Sequence, residues 1–102
     1  MIMNCILVFD IGKTNQKYFL FDTNFNLILQ GNEKTPKIKD EDGDTCDDIE
    51  KITKWIKKVF YRYLNSNLYK ISKVNFSAFG ATFVHLDSSF KIIKPVYDYN
   101  KK

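Results

Sequence analysis

The chain has 102 residues, 44% of them hydrophobic and 16% aromatic, with a formal net charge of +4, which suits a single domain over residues 1–102 with one core and is too little for two lobes. Its longest apolar run, Cys5 to Phe9, is too short to span a bilayer, and no basic segment with a secretory core opens the sequence, so a soluble cytoplasmic protein with no membrane partner is expected. Fifteen of the sixteen basic residues are lysine and seven of the twelve acids lie between Asp40 and Glu50; scattered lysines with Arg62 as the sole guanidinium argue against nucleic acid as a partner.

Met3 to Phe9 is apolar almost throughout, which predicts a central strand covered on both faces. Gln16 to Phe21 and Phe25 to Leu29 are rich in aromatic, leucine and β-branched residues and are separated by turn-forming Asp22, Thr23 and Asn24, so three consecutive antiparallel strands are expected. Gly12, in the first connection from Ile11 to Asn15, permits a positive φ or a close backbone approach. Gly31 to Cys46 carries no apolar period and reads as an exposed loop. Ile49, Ile52, Ile56, Val59, Phe60 and Tyr63 recur at helical intervals, with Trp55 widening the face, and predict an amphipathic helix from Asp47 to near Asn65. Asp47 and Glu50 have the spacing of an acidic capping box, and Lys57, Lys58 and Arg62 load the other end, as the helix dipole favours. Val74 to Phe79 reads as a strand reached by a crossover and therefore parallel, followed by β-like runs at Thr82 to Leu86 and Lys91 to Lys94 around a turn. Cys5 and Cys46 lack metal-ligand spacing and are expected as free thiols.

Several chemistries can be tested on these pieces. Gly12-Lys13-Thr14 imitates the end of a nucleotide P-loop, but the position that needs the first glycine is Leu7, inside a strand. Asp40, Asp42 and Asp44 imitate a calcium loop, yet its glycine position is Thr45 and its final ligand position Lys51, so an acidic surface loop is expected. His85, the only histidine, has no neighbouring nucleophile and reads as structural or at a substrate edge. What remains is a hairpin turn. Asp10, Gly12, Lys13, Thr14, Asn15 and Lys17 supply the parts of a phosphate grip: a strand-end carboxylate to organise Mg²⁺, turn N–H groups, and short polar side chains. Spacing alone fits equally well a hairpin whose polar residues face solvent.

The segment "FDIGKTNQKYFLFDTNFNLI" resembles the phosphate region of FGGY-family carbohydrate kinases, in the actin, sugar kinase and Hsp70 superfamily. "DEDGDTCDDIEKITKWI" is similar to their acidic loop and first helix, and "SAFGATFVHLDSSFKIIKPVYDY" to the next strand, sugar-proximal turn and hairpin of rhamnulokinase-like and fuculokinase-like members. The resemblance implies the N-terminal part of a first lobe with an α/β, ribonuclease-H-like (actin-like ATPase) fold: a mixed sheet of three antiparallel strands, a crossover helix, a further parallel strand and a hairpin. It implies ATP-dependent phosphorylation of a sugar hydroxyl, with Asp10 holding the Mg²⁺ of ATP and Gly12, Lys13, Thr14 and Asn15 approaching its terminal phosphates. Lys17 stands where many members have arginine. Phe79, Gly80, Ala81 and Thr82, with Tyr97 and Asp98, fall at the sugar; Thr82 replaces an aspartate of similar rhamnulokinases, and Tyr97-Asp98-Tyr99 lacks their arginine. The family's catalytic base, second phosphate motif and adenosine motif lie beyond the matched region. The resemblance therefore places no catalytic residue in this chain, makes the remainder of a kinase chain its partner, and implies that residues 1–102 are inactive alone. A non-catalytic binding or assembly module, and a kinase of another superfamily branch, are the alternatives.

Overall fold

The computed structural model describes residues 2–101. Strands β1 (Met3–Ile11), β2 (Asn15–Asp22) and β3 (Leu27–Lys34) pair antiparallel in sequence, and β6 (Tyr69–Ala78) joins the free edge of β1 in parallel, for the order β3-β2-β1-β6. A small hairpin, β4 (Lys37–Lys39) and β5 (Thr45–Asp47), precedes helix α1 (Ile49–Leu64), and a ribbon of β7 (His85–Leu86) and β8 (Ile92–Ile93) follows β6. This is the mixed α/β sheet with a crossover helix and a final hairpin that the sequence leads one to expect.

Period-two alternation sets the core. Cys5, Leu7, Phe9 and Ile11 of β1 are buried on one face, beside Tyr18 and Leu20 of β2. Against them α1 lays Ile52, Trp55, Val59 and Tyr63, spaced three and four apart. Leu7, Phe9 and Leu20 are fully enclosed, and each contributes roughly 1.5–3 kcal/mol relative to exposure. The Phe9 ring meets Trp55 edge-on at 5.9 Å and stacks on Phe76 at 5.1 Å.

Several local expectations change. β1 is covered on one face only, because among the described residues α1 is the only helix; Ile6, Val8, Phe19 and Phe21 on the other face stay half-buried. The stretch from Gly31 to Cys46 is not one loop: β3 continues to Lys34 by pairing with β2, and Cys46 is fully buried in β5. Backbone pairing, which carries no apolar signature here, makes the difference. The helix cap is Asp48, whose carboxylate accepts the Lys51 N–H at 3.1 Å, so the Asp47/Glu50 capping box does not form. β6 starts at Tyr69, ahead of the expected Val74, because it follows β1 along its whole length. Between β2 and β3 the Asp22 carboxylate accepts the Asn26 N–H at 2.9 Å, the Asn26 side-chain amide at 3.1 Å and the Asn24 N–H at 2.9 Å, and these bonds, those from Asn26 first, hold its pKa below the ordinary carboxylate range. Both cysteines are free.

Candidate functional site

The turn between β1 and β2 is braced from behind. The Gly12 N–H donates to the Asn15 carbonyl at 2.8 Å, and a Cβ on Gly12 would stand 2.6 Å from that oxygen. Glycine is required here by this close approach and not by a positive φ, which Gly12 does not adopt. Thr35, buried after β3, gives its hydroxyl to the Gly12 carbonyl at 2.7 Å and its N–H to the Thr14 carbonyl at 2.8 Å, while the Lys37 ammonium reaches the Lys13 carbonyl at 2.7 Å. Among the described residues none of these bonds uses the N–H of Lys13 or Thr14, so two adjacent backbone donors and the exposed Thr14 side chain could meet an anion.

Asp10 and Lys17 sit opposite each other in the β1–β2 register, with Ser77 of β6 across from Asp10 on the other side. Alternation places them on the sheet face away from α1, at its strand-end margin, with the half-buried Asn15 next along β2. An acid, a lysine and short polar groups thus flank the turn, a donor set that suits Mg²⁺ on Asp10 and phosphate on the turn.

Lys13 points elsewhere. Its ammonium pairs with the Asp98 carboxylate, lies 3.3 Å from Asp47 Oδ2, and sits over the rings of Phe79 at 5.1 Å and Tyr99 at 4.7 Å. Burial by itself would lower its pKa, but the hydrogen bond to Asp98 and the charge of Asp47 outweigh burial and raise it. Asp98 is held below the usual carboxylate range by Lys13 first and by the Asn100 N–H second. Asp47, with a side chain only 3% exposed, also accepts Lys37 Nζ at 2.5 Å, and its backbone bridges to Val96.

Of the residues expected at the sugar, the fold brings Phe79 and Asp98 to the β1–β2 turn through Lys13, together with Tyr99. Tyr97 turns instead to the β4–β5 hairpin, where its hydroxyl donates to Glu41, an acid that raises the Tyr97 pKa. Gly80 is exposed with open space around it, Ala81 takes a left-handed φ of 64°, and Thr82 Oγ1 is buried without a partner among the described residues. A left-handed alanine costs roughly 1–2 kcal/mol. His85 is exposed in β7.

Thr35, Lys37 and Asp47 carry much of this arrangement; no sequence motif marks the first two, and spacing marks Asp47 only as part of a helix cap. Each acts across a long sequence separation, and the polar run that contains the first two has no period. The acidic hairpin also gains a partner: Asp40, Asp42 and Asp44 converge on Lys101 Nζ at 2.8, 3.1 and 2.8 Å. A cavity of about 310 Å³ borders Asp47, lined by Ile38, Glu41, Asp48, Glu50, Lys94 and Val96 among others. Its acids are engaged, Asp48 at the helix cap, Glu50 with Lys94 and Glu41 with Tyr97.

No helix among the described residues is long and apolar enough to cross a membrane. No family model and no curated protein matches the chain. Solved structures do. A carbohydrate kinase from Novosphingobium aromaticivorans matches with a TM-score of 0.82 and 20% identity, over 97% of this chain and 20% of that one. A ligand-bound xylulose kinase from Lactobacillus acidophilus matches at 0.74 and 20% identity, and a Plasmodium falciparum glycerol kinase with ADP at 0.63 and 20%, each over 90% of this chain and 19% of the other. The chain thus spans about a fifth of the length of the kinases it matches. Across that length its fold is the ribonuclease-H-like, actin-like ATPase fold found in carbohydrate kinases.

Proposed function

We propose that this protein belongs to an ATP-dependent carbohydrate kinase activity, and that residues 1–102 contribute the first phosphate turn and part of the sugar site. The observation that carries the reading is the turn itself: Gly12 to Asn15 sits at the end of the central strand of a carbohydrate-kinase fold, with two backbone donors that no described residue uses beside a strand-end carboxylate. Asp10 would hold Mg²⁺, which when bound would neutralise charge on the terminal phosphates. The Lys13 and Thr14 N–H groups orient a phosphate, and Phe79, Tyr99 and Asp98 offer the aromatic faces and carboxylate that a polyol needs. Gly80, Ala81, Thr82 and Tyr97 form the outer margin of that sugar site.

Phosphoryl transfer also requires a base for the attacking hydroxyl. Asp47 and Asp98 do not serve, because both are committed to lysines. The base and the adenosine contacts are proposed to come from further parts of a kinase chain, and the apolar sheet face carrying Ile6, Val8, Phe19 and Phe21 suits packing by them. Residues 1–102 alone are then expected to be inactive.

Calorimetric titration of Mg·ADP into the intact protein tests the reading, with Asp10→Ala as the comparison. Binding that weakens at least tenfold in Asp10→Ala supports it; no binding, or binding indifferent to Asp10, overturns it in favour of a non-catalytic module.

A further inference from the structure

We infer that Lys13 is a clamp joining the phosphate turn to the segment Asp98-Tyr99, with Asp47 as its buried anchor, so that a ligand on the turn is felt at Tyr99. The nucleotide half of this inference rests on the phosphate reading; the clamp itself does not.

Lys13 Nζ is met by groups from three other parts of the chain: Asp47 at the end of β5, Phe79 just beyond β6, and Asp98 with Tyr99. Its side chain is 25% exposed, so these contacts act in a partly dry setting where cation–π attraction and charged hydrogen bonds are stronger than in water. The link closes on itself. The Lys13 side chain reaches out to Asp98 and Asp47, and Lys37 reaches from Asp47 back to the Lys13 carbonyl at 2.7 Å. A movement of the turn backbone therefore moves the ammonium that holds Asp98, while Asp47, tied to Val96 by a backbone bridge, keeps the anchor in place. The Lys13 side chain has a positioning role: its ammonium presents Asp98 and the Tyr99 ring and does not donate to the phosphate, which would meet only the Lys13 backbone N–H.

The test uses backbone order parameters and Mg·ADP-induced chemical shifts on the intact protein. In wild type, Asp98 and Tyr99 are expected near the rigid value of about 0.85, falling below about 0.6 in Lys13→Met. Lys13→Arg, which keeps the charge and the ring contact, should restore them, and Lys34→Met, an exposed lysine of β3, should leave them unchanged. Mg·ADP should shift the Tyr99 amide in wild type and in Lys13→Arg but not in Lys13→Met. Unchanged order at Asp98 and Tyr99 in Lys13→Met, or a Tyr99 shift that persists there, overturns the clamp. Absence of shifts at the Lys13 and Thr14 amides in wild type overturns the phosphate reading instead, and the order parameters still decide the clamp.

Discussion

Gly12→Ala separates a structural requirement at the turn from a mere preference. The added Cβ would lie 2.6 Å from the Asn15 carbonyl oxygen, which is backbone and cannot swing aside, so the two must part by about 0.8 Å to reach ordinary contact. A displacement of that size breaks the 2.8 Å bond from the Gly12 N–H to the same oxygen, at about 1 kcal/mol. It also disturbs the Thr35 hydroxyl bond to the Gly12 carbonyl, for about another 1 kcal/mol, while the stiffer unfolded chain returns roughly 0.4–1 kcal/mol. The expected net loss is about 1–2 kcal/mol, read by urea unfolding with an unchanged m-value, or as a fall in Tm of about 4–8 °C per kcal/mol. Gly80→Ala is the control, because open space surrounds Gly80, and it should stay within about 0.5 kcal/mol of wild type. Equal stability of Gly12→Ala and wild type, or equal losses in both variants, would refute the close-approach reasoning.

Gly31→Ala would drive a methyl to 2.1 Å from the Tyr18 ring, which is wedged against Trp55 and Tyr63 and bonded through its hydroxyl to the Tyr63 hydroxyl at 2.9 Å; a loss of about 1–3 kcal/mol is expected by chemical unfolding, shrinking below about 0.5 in a Tyr18→Leu background. Asp47→Asn should cost about 1–2 kcal/mol by chemical unfolding, moderated because its two lysines keep partial solvation, and that cost should shrink in a Lys37→Met background. Asp40 and Asp98 are held below the ordinary carboxylate value of 3.8, Asp40 chiefly by Lys101 and Asp98 chiefly by Lys13. Their stabilisation is present above that value and is lost as the pH falls through the lowered folded-state pKa values, so Lys101→Met should flatten the acid side of a stability–pH curve. Tyr63, raised to about 12 by burial and then by Tyr18, favours folding below pH 10.0 and loses that contribution as the pH rises toward about 12, which ultraviolet titration against unfolding reads directly.

The sequence by itself determined the elements whose information is local or periodic. The helical recurrence from Ile49 to Tyr63 becomes α1, the apolar run becomes β1, and the segments around Asp10, Asp47 and Gly80 resemble those of a carbohydrate-kinase fold in the right order. Side-chain period reports burial, and burial of one face is what an amphipathic helix or strand needs. Polar backbone pairing has no such signature. The continuation of β3 to Lys34 and the β4–β5 hairpin therefore emerged only from the tertiary structure. So did the site's internal wiring. Asp47 belonged, on spacing, to a helix cap, yet it anchors Lys13 and Lys37, because the hairpin carries it beneath a turn 34 residues away in sequence. Lys13 stood among the phosphate ligands on resemblance, and its side chain is directed to Asp98 and two aromatic rings. A charged group settles where the summed field of distant partners is deepest, and that sum exists only after the chain has folded.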